Sequence, residues 1–147
     1  MYALSKDTIY ENKPTFDRSL QAAYPPGSTF KLVDLIALLD DEKVDTSKIY
    51  DSKGGDIIYR GRHVRDSNKK GYGKISLARG FEVSSNTILV QAVYENYKDN
   101  PEQFVNRLNG LGLNKPLGLP FKGEGVPYIP QPSDKRWSAI SLPWMAF

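Results

Sequence analysis

Ser28 and Lys31 stand three residues apart, directly after the run Tyr24-Pro25-Pro26-Gly27. The stiff turn delivers a Ser-x-x-Lys onto the opening turn of a helix expected from Ser28 to about Asp40. Phe30, Leu32, Val33, Leu35, Ile36, Ala37, Leu38 and Leu39 make that helix apolar on nearly every face, the pattern of a buried helix. A Lys on its first turn is then desolvated, with the Ser on the same face. Desolvation lowers a Lys pKa toward the range in which it takes a proton from a hydroxyl. The pair has the makeup of a nucleophile with its base attached. Taken alone, the spacing also has a plain structural explanation: Ser caps helices and Lys snorkels to water. Against that, no acidic residue occupies the first turn, where the macrodipole favours one. Asp34 comes only in the second turn, and Asp40-Asp41-Glu42 cluster at the unfavourable end.

A second cluster, Gly80-Phe81-Glu82-Val83-Ser84-Ser85-Asn86-Thr87, falls between helical stretches at Ser76 to Val83 and Asn86 to about Tyr97. Ser84 and Asn86 put a hydroxyl and an amide on a short inter-helix turn, where both can face one cleft. Ser and Asn also cap helices, and Ser85-Asn86 starts the next one well. In this order, Ser-x-x-Lys followed by Ser-x-Asn is far more specific than either alone. It is the pattern of penicillin-binding proteins and serine β-lactamases, whose third element is a Lys-Thr/Ser-Gly strand.

The likeness extends beyond the two motifs. Tyr24 to Lys31, Gly71-Tyr72-Gly73-Lys74-Ile75-Ser76-Leu77, Ser84-Ser85-Asn86, Leu111-Gly112-Leu113 and the tail Ser138 to Phe147 resemble, in family order, the transpeptidase domain of class B penicillin-binding proteins. The septal, cell-division type is the nearer match, in the form found in Bacteroides-like bacteria. The elongation type also uses Tyr-Pro-Pro-Gly. The resemblance implies an α+β serine transpeptidase fold, with residues 1–147 a partial domain made mostly of the helical lobe and a few short strands. No Lys-Thr-Gly or Lys-Ser-Gly occurs, and neither Lys53-Gly54-Gly55 nor Lys122-Gly123-Glu124 supplies one. The chain is therefore expected to be a fragment holding the first two motifs, because in the family the third closes the site and gives one oxyanion-hole amide.

What the resemblance implies for chemistry is acyl transfer without cofactor or metal. Lys31 accepts the Ser28 proton, and Ser28 attacks a D-Ala-D-Ala stem peptide. Ser84 relays the proton to the departing D-Ala. Asn86 binds the peptide amide and helps hold Lys31. Implied partners are peptidoglycan stem peptides, β-lactam antibiotics and, through the parent protein, divisome proteins, at the periplasmic face of the inner membrane. The class A β-lactamase motif Glu-x-x-Leu-Asn is broken, since Val105 stands where Leu108-Asn109 requires the Glu. An acyl-enzyme should then resist water, as in a β-lactam-inhibited transferase. A β-lactam-binding sensor and a non-enzymatic basic module are the alternatives.

Composition narrows the field. With 147 residues and 39% hydrophobic content there is room for one core. A net charge of +3 is mildly basic and scattered, densest at Arg60 to Arg65 and Asn68-Lys69-Lys70. Despite nine Tyr, no nucleic-acid motif accompanies these charges, and a solvated face explains them. No run approaches the roughly 18 apolar residues of a membrane helix. Zero cysteines leave the redox compartment open. His63, the only histidine, lies away from both motifs and completes neither a triad nor a metal site.

Along the chain, Tyr2 to Ser5 reads as an edge strand and Thr8 to Leu20 as loop. Asp56 to Arg65 alternates about a Gly and predicts a hairpin. Asp66 to Gly73 is turn-rich. Asn100-Pro101-Glu102-Gln103 predicts a capping-box helix start, followed by a buried stripe of Phe104, Val105, Leu108 and Leu111. Lys122 to Pro132 reads as extended loop. Trp137, Trp144 and Phe147 leave apolar surface expected to drive self-association.

Overall fold

The computed structural model describes residues 25–120 and 124–147. The expected edge strand at Tyr2 to Ser5, the loop at Thr8 to Leu20, and Lys122 and Gly123 lie outside the described residues. Among the described residues, five α-helices and four short strands follow one another: α1 Lys31–Asp40, β1 Ile49–Asp51, β2 Asp56–Tyr59, β3 Arg62–Arg65, β4 Lys74–Ser76, α2 Leu77–Glu82, α3 Asn86–Tyr97, α4 Pro101–Gly110 and α5 Ser141–Met145. The strands form two antiparallel ladders, β1 with β4 and β2 with β3. This mix of helices and short strands is the α+β class expected from the sequence.

The core is built around α3. Ile88, Leu89, Val90, Ala92, Val93 and Tyr97 are all fully buried, so nearly every face of this helix is covered. It touches α1, α2, α4 and α5 as well as β1 and β3. One close approach needs glycine. A Cβ at Gly80 on α2 would lie 2.4 Å from Ile88 Cγ2, so the two helices could not pack as they do around a larger residue. Tyr97 closes the far end, its hydroxyl donating to the Ala37 carbonyl at 2.9 Å and to Asp41 at 2.8 Å. Removal of the hydroxyl from water pushes its pKa up.

The helix at Lys31–Asp40 departs from its expected all-round burial. Its buried residues are Lys31, Asp34, Ala37 and Leu38, whereas Leu32 and Leu39 are 53% and 41% exposed. Composition alone predicts a covered helix. Here α1 packs on one side, against α3 and α4, and Lys31 and Asp34 share that side with Ala37 and Leu38, while Asp40 stays exposed. The first turn also differs, because Gly27–Phe30 is a 3-10 turn and the α-helix starts at Lys31.

Other expectations hold locally. The hairpin forms at Asp56–Tyr59 and Arg62–Arg65, with Arg60 and Gly61 both at positive φ, 49° and 79°, as a two-residue turn with right-handed strand twist requires. On α4, Phe104, Val105 and Leu108 are buried, but Leu111 follows the last helical turn and is 41% exposed. The capping box is not made there. Asn100 stands at the N-cap position and offers its backbone carbonyl to Gln103 N–H, with no side-chain bond. The pairing of Ile49, Tyr50 and Asp51 with Ser76, Ile75 and Lys74 carried no alternation long enough to read from sequence.

Candidate active site

Ser28 meets Lys31 through the 3-10 turn. Gly27 takes φ +62°, which ends the Pro-Pro run, and Thr29 Oγ1 donates back to the Pro26 carbonyl at 2.7 Å. In 3-10 geometry residues i and i+3 eclipse rather than lying side by side. Ser28 therefore stacks over Lys31, and Lys31 Nζ donates to Ser28 Oγ at 3.1 Å. Ser28 is exposed while Lys31 is 1% exposed, so a hydroxyl facing solvent sits on an amine that does not.

Two further acceptors for Lys31 come from the turn between α2 and α3. Its Nζ lies 2.6 Å from the Ser84 carbonyl and 2.9 Å from Ser84 Oγ. Ser84 is held at φ +53°, a left-handed conformation that costs a serine free energy. The same residue thus presents both its carbonyl and its hydroxyl to Lys31. Burial lowers the Lys31 pKa, and the negative charges of Asp66 and Asp34 partly oppose that shift.

The turn is held from below by Asp66. This 6%-exposed carboxylate accepts from Ser85 Oγ at 3.0 Å, Thr87 N at 2.9 Å and Thr87 Oγ1 at 2.9 Å. Ser85 in turn caps α3, accepting from Ile88 N at 3.2 Å. Tyr72 adds a weak clasp, its hydroxyl 3.5 Å from the Val83 carbonyl. Asp66 was missed in the sequence, where it opens a turn-rich stretch, because nothing local shows that it reaches residues 85–87.

Asn86 stands differently from the expectation. Its Nδ2 donates to the Arg65 carbonyl at 2.7 Å, tying α3 to the end of β3, and it makes no hydrogen bond to Lys31. Lys31 is held by Ser84 instead, since the α3 start turns the Asn86 side chain toward the hairpin. Ser28, Lys31 and Ser84 are thus brought together, with Asn86 two residues from Ser84 on the strand side. His63 bonds Asp56 at 2.8 Å on the exposed hairpin, apart from this cluster. A groove of about 480 Å³ lined by Asp41, Asn100, Glu102 and Arg107 shares none of the four residues. Among the described residues no group of three or more His, Cys, Asp or Glu is arranged for a metal.

Residues 3–142 match the family described as the penicillin binding protein transpeptidase domain. The chain belongs to that family. Curated relatives include the peptidoglycan D,D-transpeptidases MrdA of Haemophilus influenzae, 26% identical over 134 residues, and of Escherichia coli, 27% identical over 134 residues. Each alignment covers 90% of this chain and 20% of the relative, so the transpeptidase-domain sequence here spans about a fifth of their length. Among solved structures, the D,D-transpeptidase domain of a peptidoglycan glycosyltransferase from Eggerthella lenta superposes with a TM-score of 0.65 at 31% identity, over 88% of this chain and 29% of that one. A peptidoglycan glycosyltransferase from Burkholderia ambifaria gives a TM-score of 0.74 at 22% identity, over 88% and 39%, and supports the fold.

Proposed function

We propose that this domain belongs to a serine-type peptidoglycan D,D-transpeptidase in which Ser28 is the nucleophile and Lys31 its base. The observation that carries the reading is Lys31 Nζ within hydrogen-bond reach of both Ser28 Oγ and Ser84 Oγ, at 3.1 and 2.9 Å. Ser28 attacks the penultimate D-Ala carbonyl and passes its proton to Lys31. Lys31 returns it through Ser84 to the leaving amine, the peptide bond breaks, and an ester to Ser28 remains. An acceptor amine then displaces Ser28 and forms the cross-link. Asn86 takes part through its amide oxygen, which makes no hydrogen bond among the described residues and is available to a substrate N–H. A buried amine suits the base role because no third group is needed to fix a tautomer.

The residues 1–147 act, in this proposal, as the half of the domain carrying the first two motifs, with the Lys-Thr/Ser-Gly strand supplied elsewhere in the parent protein. Cross-linking then takes place at the periplasmic face of the membrane, with β-lactams as covalent inhibitors. No helix among the described residues is long and apolar enough to cross a membrane. Septal synthesis, with divisome partners, rests on the sequence resemblance. Elongation is the second reading, favoured by the spelling Tyr24-Pro25-Pro26-Gly27. Depletion of the parent protein separates them: filaments indicate the septal role and rounded cells the elongation role.

Labelling of the full-length protein by a fluorescent penicillin tests the chemistry. Ser28→Ala abolishes labelling, Lys31→Ala slows it severely, and Asn86→Ala weakens it less, because nucleophile and base act as a unit. Unchanged labelling of Ser28→Ala rules out Ser28 as the nucleophile. The 147-residue chain alone is expected to self-associate, since Leu117 and Val126 are 83% and 85% exposed and Trp144 is 38% exposed. Sedimentation at micromolar concentration checks this, and a monodisperse monomer contradicts it.

A further inference from the structure

The cations running from the β2–β3 turn to β4 form a charged patch that the acyl-transfer steps leave unused. Residues 60–74 hold six of the twenty Lys and Arg of the chain and only one of its seventeen acids, Asp66, so this stretch is +5 and the remainder −2. Asp66 is buried and engaged by Ser85 and Thr87, whereas Arg60, Arg65, Lys69 and Lys70 are exposed. The stretch is also fastened to the candidate cleft, because the Arg65 carbonyl accepts from Asn86 Nδ2 at 2.7 Å.

Arg65 is the member of this patch whose side chain is held in place. In the β2–β3 register Asp56 stands opposite Arg65 and Ile58 opposite His63. Strand alternation puts these four on the face turned away from Ile57 and Val64, which are buried. There Asp56 accepts from Arg65 Nε at 2.9 Å and bonds His63 Nδ1 at 2.8 Å. The Arg65 and Asp56 side chains are 64% and 38% exposed. An ion pair this exposed adds little stability, so what it supplies is direction. The bond uses Nε alone. Nη1 and Nη2 have no partner among the described residues, and together they form a guanidinium edge that meets a carboxylate in two parallel bonds.

We propose that Arg65 is a specificity-determining residue of this site, its free guanidinium edge binding a carboxylate that the acyl donor carries upstream of D-Ala-D-Ala. This rests on the acyl-transfer reading above and narrows its substrate class to stem peptides in which that carboxyl group is free rather than amidated. Asn86 connects the two contacts. Its Nδ2 is fixed on the Arg65 carbonyl, and its amide oxygen is left for an N–H of the donor. A donor held there runs along the end of β3 that carries Arg65, within the positive field of the 60–74 stretch. A guanidinium already oriented by Asp56 loses less side-chain freedom on binding than an unrestrained one. An amide in place of the carboxylate offers that edge one acceptor oxygen and no charge, so it is held less well.

The experiment compares two penicillins on the full-length protein. One is benzylpenicillin; the other is carbenicillin, which adds a carboxylate to the same side chain, next to the side-chain amide and so on the upstream side of the reacting bond. Each acylation rate is read from the loss of labelling by a fluorescent penicillin, and the quantity followed is the carbenicillin rate divided by the benzylpenicillin rate. Arg65→Ala lowers this ratio about tenfold, the size of one exposed charge-assisted contact. Arg65→Lys keeps the charge, loses the fork and falls between. High salt lowers the wild-type ratio but not that of Arg65→Ala. Should Arg65→Ala fail to accumulate, Arg65→Gln removes the charge while keeping most of the side-chain length and is read the same way. A ratio equal to wild type overturns the proposal, including when both rates fall together, as lost support for Asn86 would produce. Labelling that survives Ser28→Ala overturns the acyl-transfer reading instead.

Discussion

Lys31 Nζ donates to the Ser84 carbonyl at 2.6 Å, across 53 residues of chain, and this bond is shorter than the 3.1 Å contact to Ser28 Oγ. The amine is therefore anchored by backbone, with the Ser84 hydroxyl at 2.9 Å and the Ser28 hydroxyl at 3.1 Å as its further neighbours. Side-chain changes at Ser84 leave that anchor in place.

Ser84 is accordingly separable into two parts. Ser84→Ala keeps the carbonyl and removes the hydroxyl, so penicillin acylation slows by about 10²–10⁴ if that hydroxyl carries the proton, with little change in melting temperature. Ser84→Gly loses the same activity and melts no lower, since glycine adopts the φ of +53° without the side-chain clash. Comparing acylation and thermal melts of the two variants checks both statements. Full activity in Ser84→Ala removes the hydroxyl from the mechanism.

Asp66→Ala strands the Thr87 N–H and the Ser85 and Thr87 hydroxyls in a buried site. Leaving such donors unsatisfied costs about 1–3 kcal/mol for a single group, so the loss should reach about 3 kcal/mol or more in urea unfolding of the full-length protein. Penicillin labelling falls with it, because the turn bearing Ser84 and Asn86 loses its support. A loss below about 1 kcal/mol would mean that water replaces the carboxylate.

Gly80 and Ile88 should couple. Gly80→Ala drives a Cβ to within 2.4 Å of Ile88 Cγ2 and costs about 1–3 kcal/mol as overpacking. Adding Ile88→Ala opens the space, so the double variant loses less than the two single losses added together. Strict additivity in chemical denaturation would show that the helices shift apart freely.

Asp34 gives stability a distinctive pH dependence. Burial raises its pKa well above the ordinary carboxylate value, so the folded state holds a proton that the unfolded chain releases. Its contribution is then fully present below about pH 4, and is lost as pH rises through the folded value. The melting temperature of Asp34→Asn should exceed that of wild type by a margin that grows from pH 4 upward. Lys31, whose pKa burial lowers, acts in the opposite sense toward the alkaline end. A margin that stays constant with pH contradicts the assignment of Asp34 as a buried titrating acid.

What was legible in the sequence was local. The Pro-Pro-Gly turn, the Ser-x-x-Lys spacing, the Arg60-Gly61 hairpin and the Ser85 cap each depend on residues within a few positions of one another. Backbone sterics and short-range hydrogen bonds decide such features without help from the rest of the chain. Family membership was legible too, because the two motifs occur in order. The tertiary structure decided what depends on contacts between distant residues. Composition made α1 an apolar helix buried on all sides, but packing against α3 and α4 buried Lys31 and Asp34 and exposed Leu32 and Leu39. Asn86 was expected beside Lys31, and the proximity of β3 claimed its amide for the Arg65 carbonyl. Asp66 looked like a turn residue until the fold carried Ser85 and Thr87 onto it. Each of these outcomes depends on which neighbours satisfy a buried polar group, and sequence spacing does not encode those neighbours.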